Sequence, residues 1–139
     1  MISVPSSPVL EIKNLSVQFA TPEGEVQAVS DVSLSVNKGE CLGIVGESGS
    51  GKSQTFMAAL GLLAENGTAQ GEVLLNGVDL LKAGERKLTA IRGNKIALIF
   101  QDPMTSLTPH MRVGRQLTEV LMRHRGLNAT EARDGAIAM

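Results

Sequence analysis

"GIVGESGSGKSQT", residues 43–55, sets glycines and serines around a single lysine directly after a short apolar run. Gly46, four intervening residues, Gly51, Lys52 and Ser53 satisfy G-x-x-x-x-G-K-[ST], the phosphate-binding loop. The preceding run Cys41-Leu42-Gly43-Ile44-Val45 reads as a short buried strand, and Phe56, Met57, Ala59, Leu60 and Leu63 beyond the loop recur at helical spacing. Strand, loop, helix is the context that the motif requires. Glycines let the main chain approach a ligand closely, so that successive N–H groups turn inward onto an anion at the positive end of a helix. Lys52 is placed to reach the β- and γ-phosphates of a nucleoside triphosphate, and Ser53 to offer its hydroxyl to Mg²⁺.

Composition narrows the partners. The 139 residues carry a formal net charge of −1, with 42% hydrophobic residues and three Phe as the only aromatics. That is enough chain for one domain with a core, but it provides neither a basic groove nor stacking platforms, which argues against nucleic acid. One cysteine, Cys41, excludes an internal disulfide, and its place in the expected strand reads as a small buried hydrophobe. No apolar stretch reaches membrane-spanning length, and the start "MISVPSSP" has no signal-peptide blocks.

Outward from the loop, residues 1–8 read as a disordered lead-in. "VLEIKNLSVQFA" (9–20) changes apolar phase between Ile12 and Leu15, as two strand pieces joined by a bulge near Asn14 would. "TPEGE" (21–25) is a turn, Val26 to Val36 a further strand, and "NKGE" (37–40) a turn into the phosphate-loop strand. "GEVLLNG" (71–77) reads as a strand ending in an Asn-Gly turn, and "GERKLTAIRG" (84–93) as a short helix with Leu88 and Ile91 inward. "KIALIF" (95–100) suits a strand buried on both faces. Val113, Leu117, Val120 and Leu121 give an amphipathic helix, and a last helix starts from a cap at Asn128 or Thr130.

The stretch "IALIFQDPMTSLTP" (96–109) offers two readings. In one, Asp102 is a metal-binding carboxylate after an apolar strand, one residue late and followed by Pro103. In the other, Gln101 is a neutral amide that touches Mg²⁺ and the attacking water, on a hinge stiffened by Pro103 and Pro109. The arginines of the tail (112, 115, 123, 125 and 133) are interspersed with Glu119, Glu131 and Asp134, the pattern of a solvated helix face rather than of a lipid-binding surface.

With GESGSGKS followed by FQDPMTSL, the chain resembles the ATP-binding subunits of ABC transporters, in their oligopeptide/dipeptide importer branch, from about Val9 to the end. "FATPEGEVQAVSDVSLSV", "IFQDPMTSLTPHMRVGRQL" and "EVLM" follow that pattern in order. The resemblance implies an α/β P-loop NTPase of ABC type, truncated. It would have an N-terminal antiparallel β subdomain, the phosphate-loop strand and helix over 9–101, and the start of a helical subdomain over 102–139. It implies that Phe19 stacks on adenine, that Gly46, Glu47, Ser48, Gly49, Ser50, Gly51, Lys52, Ser53 and Gln54 bind the nucleotide, and that Gln101 is the Q-loop glutamine, with Ser53 and Gln101 on Mg²⁺. Lys52 and Gln101 become the catalytic candidates, and ATP and Mg²⁺ the cofactors.

The implied function is ATP-driven peptide import from the cytoplasmic face of the inner membrane. The implied partners are permease subunits that residues 102–115 border, a second ATPase subunit and, indirectly, a substrate-binding protein. Thr108 and Arg115 depart from the family's usual Asn and acidic residue. The 139 residues contain no LSGGQ-like signature, no Walker B aspartate with its neighbouring glutamate and no switch histidine, for which His110 and His124 do not substitute. The expectation is therefore a front portion of a longer protein, with negligible hydrolysis by itself. A non-hydrolysing MgATP-binding module, a P-loop enzyme outside the transporter class that uses Asp102, and nickel as the transported substrate are the alternatives.

Overall fold

β1 (Leu10–Thr21) is the centre of an antiparallel sheet and pairs with β2 (Gly24–Val36) on one side and β3 (Gly67–Leu75) on the other, with the short β4 (Val78–Asp79) outermost, in the order β2-β1-β3-β4. The computed structural model describes residues 7–102 and 107–139. The first six residues of the expected lead-in, and Pro103 of the expected hinge, lie outside them.

The phase change in β1 is a bulge. Asn14 takes a left-handed φ of 49°, and the register with β2 slips between Ile12 and Leu15. The extra residue returns the apolar side chains to one face, so that Ile12, Leu15 and Val17 are all buried. Asp31 on β2 mirrors Asn14 with φ 50°. The Asn14 amide donates to Asp31 Oδ1 at 2.7 Å, Asn14 N–H donates to Ser33 Oγ at 2.9 Å, and Asp31 N–H donates to Ser16 Oγ at 3.0 Å. The last two bonds satisfy the backbone N–H groups of the two left-handed residues, and the first ties their side chains together.

α1 (Lys52–Ala59) packs on β1 and β2. The core that it closes comprises Ala58, Ala59 and Leu60 with Ile12, Leu15, Val17, Val29, Val73, Leu75 and Leu80. β3 turns into β4 through Asn76 (φ 48°) and Gly77 (φ 79°), the paired left-handed residues of a tight hairpin. Asp79 secures the exit of that hairpin: its Oδ1 accepts from Leu81 N at 3.1 Å, and its Oδ2 lies 2.9 Å from Lys82 Nζ.

Contacts divide the chain into two compact units, 1–88 and 89–139, with α2 (Glu85–Ile91) at the boundary and its Leu88 buried. The second unit contains α3 (Val113–Arg125) and α4 (Ala129–Ile137), which pack together. α3 ends on Gly126 at φ 65°, and α4 starts with a reciprocal capping box in which Asn128 Oδ1 accepts from Thr130 N and Glu131 N, both at 3.0 Å, while Glu131 returns a bond to Asn128 N at 2.9 Å. Leu121 and Ala132 are the buried residues of the pair, whereas Val113, Leu117 and Val120 of the expected apolar face are exposed.

Two expectations are corrected. Residues 41–45 form no strand and are exposed, with Val45 at 95%, and Cys41 is an exposed thiol rather than a buried one. Residues 97–100 form no strand either, and Ile99 is 89% exposed; the one pairing here is an isolated bridge between Arg92 and Ile96. A strand exists through its ladder, and neither run finds a neighbouring strand among the described residues.

Candidate functional site: the glycine-rich loop

The turn after β2 is fastened by Glu40, whose Oε2 accepts from Asn37 N at 2.6 Å and from Asn37 Nδ2 at 2.9 Å. From there the chain runs without regular structure to Ser48, turns through Gly49 (φ 82°), and enters α1 through Gly51 (φ 84°), its N-cap. Gly51 is fixed from both sides. A Cβ on it would run into the carbonyl oxygen of Ala28 and stand 3.2 Å from Val29 Cγ2. Thr55, buried in the first turn, donates to Gly51 O through its N–H (2.9 Å) and its hydroxyl (3.0 Å). β2 and α1 together set the angle at which the loop meets the helix.

Lys52 closes the loop upon itself. Its Nζ donates to the carbonyls of Gly46 and Glu47, both at 2.7 Å, and to Ser50 Oγ at 3.0 Å. A primary ammonium has three donors, and the loop takes all three, so Gly46 to Lys52 form a ring with a cation at its rim. No side chain caps α1 and no acidic residue occupies its first turn. The first N–H groups of a helix carry its positive end, so the ring and the helix start offer an anion a cation and main-chain donors together. Ser53 is exposed on the first turn and Gln54 half-buried beside it.

The described residues contain no group of three or more His, Cys, Asp or Glu able to hold a metal. A hydroxyl is an oxygen of the kind that Mg²⁺ takes, and Ser53 is exposed on the first turn of α1. Phe19, paired across the sheet with Val26 and Gly67, is half-buried. Its ring lies against Gly67, where a Cβ would stand 2.6 Å from Cε1. Phe19 and residues 46–54 belong to the first unit; Gln101 and Asp102, both exposed, belong to the second. His110 is exposed and His124 half-buried.

Sequence reasoning missed the supports: Ala28 and Val29 behind Gly51, and Gly67 under Phe19. The first is a contact between a strand and a helix start and the second a cross-strand contact, and no local pattern announces either. Thr55 was within reach, since a threonine four residues after a helix's entry glycine can bond back to its carbonyl.

No helix among the described residues is long and apolar enough to cross a membrane. The ABC transporter family matches residues 29–138. The oligopeptide transport ATP-binding protein OppD of Salmonella typhimurium is 53% identical over 135 residues, which is 97% of this chain and 40% of that protein. The dipeptide transport ATP-binding protein DppD of Lactococcus lactis is 48% identical, over 94% of this chain and 38% of that protein. The chain thus spans about two fifths of the length of these relatives. Among solved structures, the dimeric bacterial ABC transporter cassette MJ0796 superposes with a TM-score of 0.77 at 28% identity, over 93% of this chain and 54% of that one. The same cassette in a post-hydrolysis state with ADP and Pi gives 0.74 at 26% identity, with the same coverage. The antiparallel sheet with its glycine-rich loop and helix has the fold of part of an α/β P-loop cassette, and the chain belongs to the ABC transporter family.

Proposed function

We propose that this chain binds MgATP on the loop Gly46–Gln54 and is the nucleotide-binding front of an ATPase that powers import of oligopeptides or dipeptides. The observation that carries the reading is the Lys52 ammonium held at 2.7 Å by two loop carbonyls beside a helix start that no side chain caps. Polyphosphate offers that cation and those N–H groups better partners than the loop's own oxygens. The relatives' names supply the transported class, and the ADP and Pi in the neighbouring cassette support a nucleotide as the ligand.

In this reading the chain positions phosphates and holds charge. Lys52 and the loop N–H groups bind the phosphoryl oxygens, Ser53 offers its hydroxyl to the metal, and Gln101 is the second candidate for that ion. Mg²⁺, when bound, neutralises charge on the β- and γ-oxygens. Phe19 carries the adenine. Phosphoryl transfer also needs an oriented water and a second charge clamp, and the 139 residues hold no signature or Walker B sequence to supply them. In this reading hydrolysis is completed with a second ATPase subunit, the pair bound peripherally to permease subunits at the cytoplasmic face of the membrane.

Calorimetry of MgATP with the 139-residue chain and with Lys52→Ala tests the nucleotide reading. Saturable binding weakened at least tenfold in the variant is expected, with ATP turnover by the parent no faster than by the variant. Equal affinities would overturn the assignment of the loop, and turnover that Lys52→Ala removes would overturn the non-hydrolysing role of this chain.

A further inference from the structure

Phe19 stands two residues from the end of β1, where a ladder opens most readily, and that end is fastened on both sides. Toward β2, Thr21 Oγ1 donates to Gly24 O at 2.7 Å and closes the turn. Toward β3, Asn66 holds Ala20 by both of its main-chain groups: Ala20 N–H donates to Asn66 O, and Asn66 Nδ2 donates to Ala20 O, each at 2.9 Å. In a regular antiparallel pair the second bond comes from a main-chain N–H. Here a side-chain amide takes its place, one residue beyond the last paired position, Phe19 with Gly67. Gly67 N–H closes the turn before β3 by donating to Ala64 O at 2.8 Å. The same glycine carries the ring: a Cβ on it would stand 2.6 Å from Phe19 Cε1 and 3.1 Å from Cδ1.

Asn66 closes the segment that leaves α1, the helix that opens at the phosphate loop. One stretch of chain therefore continues the loop's helix at its start and grips the strand of Phe19 at its end, all within the first compact unit. An exposed asparagine in a turn ordinarily bonds to its own neighbours or to water. This one, though exposed, reaches a strand 46 residues away in sequence, at the position next to the ring. Stacking depends on how a ring is placed as well as on its presence. We propose that Asn66 is a positioning residue for the base: by clamping Ala20, with Gly67 as the floor beneath the ring, it sets the plane that Phe19 presents to adenine. The inference rests on the proposed role of Phe19 toward the adenine of ATP.

The test compares the affinities of the 139-residue chain for ATP and for inorganic triphosphate, both with Mg²⁺, the ratio being the base-dependent gain. Asn66→Leu, which keeps the branched shape, and Asn66→Ala both retain the main-chain bond from Ala20 and lose the side-chain one. In each the gain is expected to fall about threefold, toward its value in Phe19→Leu, because a misplaced ring stacks less well. Triphosphate affinity should stay within about twofold of the parent's, since no phosphate contact changes. In the Phe19→Leu background neither change should lower the gain further, a dependence that general loss of packing does not produce. A gain unchanged in both variants, including through equal losses for the two ligands, or one that falls equally in the Phe19→Leu background, overturns the positioning role alone. A parent chain that binds ATP no more tightly than triphosphate overturns the adenine role of Phe19 and this inference with it. Failure of the parent to bind either ligand overturns the nucleotide reading as a whole.

Discussion

Gly51 lies flush against the carbonyl of Ala28, so that the entry residue of α1 touches the backbone of β2 with no room for a side chain. This contact places the phosphate loop: the sheet fixes Gly51, Thr55 anchors the first helical turn to its carbonyl, and Lys52 follows. Gly51→Ala meets two penalties, a left-handed φ of 84° and a collision with main chain that has no rotamer by which to yield. Together they amount to about 2–4 kcal/mol. Chemical denaturation of the variant should show that loss, and MgATP binding should be absent even where the variant remains folded.

Phe19 faces a different demand. Its ring rests on Gly67 and is half-buried, so it serves packing and, in the proposed function, adenine. Stacking on a base contributes about 1–3 kcal/mol. Phe19→Leu keeps most of the apolar volume and is expected to weaken ATP roughly fivefold or more while leaving inorganic triphosphate affinity within twofold. Equal losses for both ligands would assign Phe19 to packing alone.

Asp79 gives the molecule an acid-sensitive joint. Burial pushes its carboxyl up, but the bond with Lys82 and the N–H groups of Leu81 and Val73 outweigh burial and hold it below the ordinary value of 3.8. A depressed carboxyl contributes stability that is fully present above its unfolded value and is lost as pH falls through the folded one. Asp79→Asn should therefore be less stable than the parent at pH 7, by about 1 kcal/mol, and the difference should shrink below about pH 4 as the parent's carboxyl protonates. Thermal unfolding of both proteins across pH 2.5–7 measures it; a constant gap over that range would place the effect in packing instead.

Much of this was legible in the sequence because it is local. The bulge at Asn14 showed as a phase slip between Ile12 and Leu15, the hairpin at Asn76-Gly77 as a dipeptide, the start of α4 as a cap at Asn128 or Thr130, and the loop as a spacing. Residues 41–45 and 97–100 do not form the strands that their apolar runs suggest, because such runs report a tendency to be covered, whereas a strand also needs a neighbour to bond with, and that neighbour is not local. The supports of the site escaped for the same reason: Ala28 meets Gly51 only once β2 has folded beside α1.

Cys41 turns that correction into a measurement. Its thiol is exposed, so a thiol-specific alkylating reagent should modify the folded chain within about threefold of the rate for the urea-unfolded chain, since exposure governs access. Protection by tenfold or more would restore the buried strand that the sequence suggests.

Gln101 and Asp102 are neighbours, both exposed at the end of the same apolar run, and they carry the two readings of the metal partner. A carboxylate would bind Mg²⁺ directly and strongly, whereas an amide oxygen is a weaker, neutral ligand that senses the phosphate site without holding the ion by itself. If Gln101 is the functional group, Gln101→Ala lowers the Mg²⁺-linked gain in ATP affinity several-fold, and Asp102→Asn changes it by less than twofold. If Asp102 holds the metal, the ranking inverts: Asp102→Asn removes the gain and Gln101→Ala barely alters it. The same two variants in the longer protein should reproduce the ranking in ATP turnover, because a residue that orients the attacking water affects turnover more than affinity. Inversion in both assays would move the chain's chemistry to that of a P-loop enzyme in which Asp102 is the metal ligand.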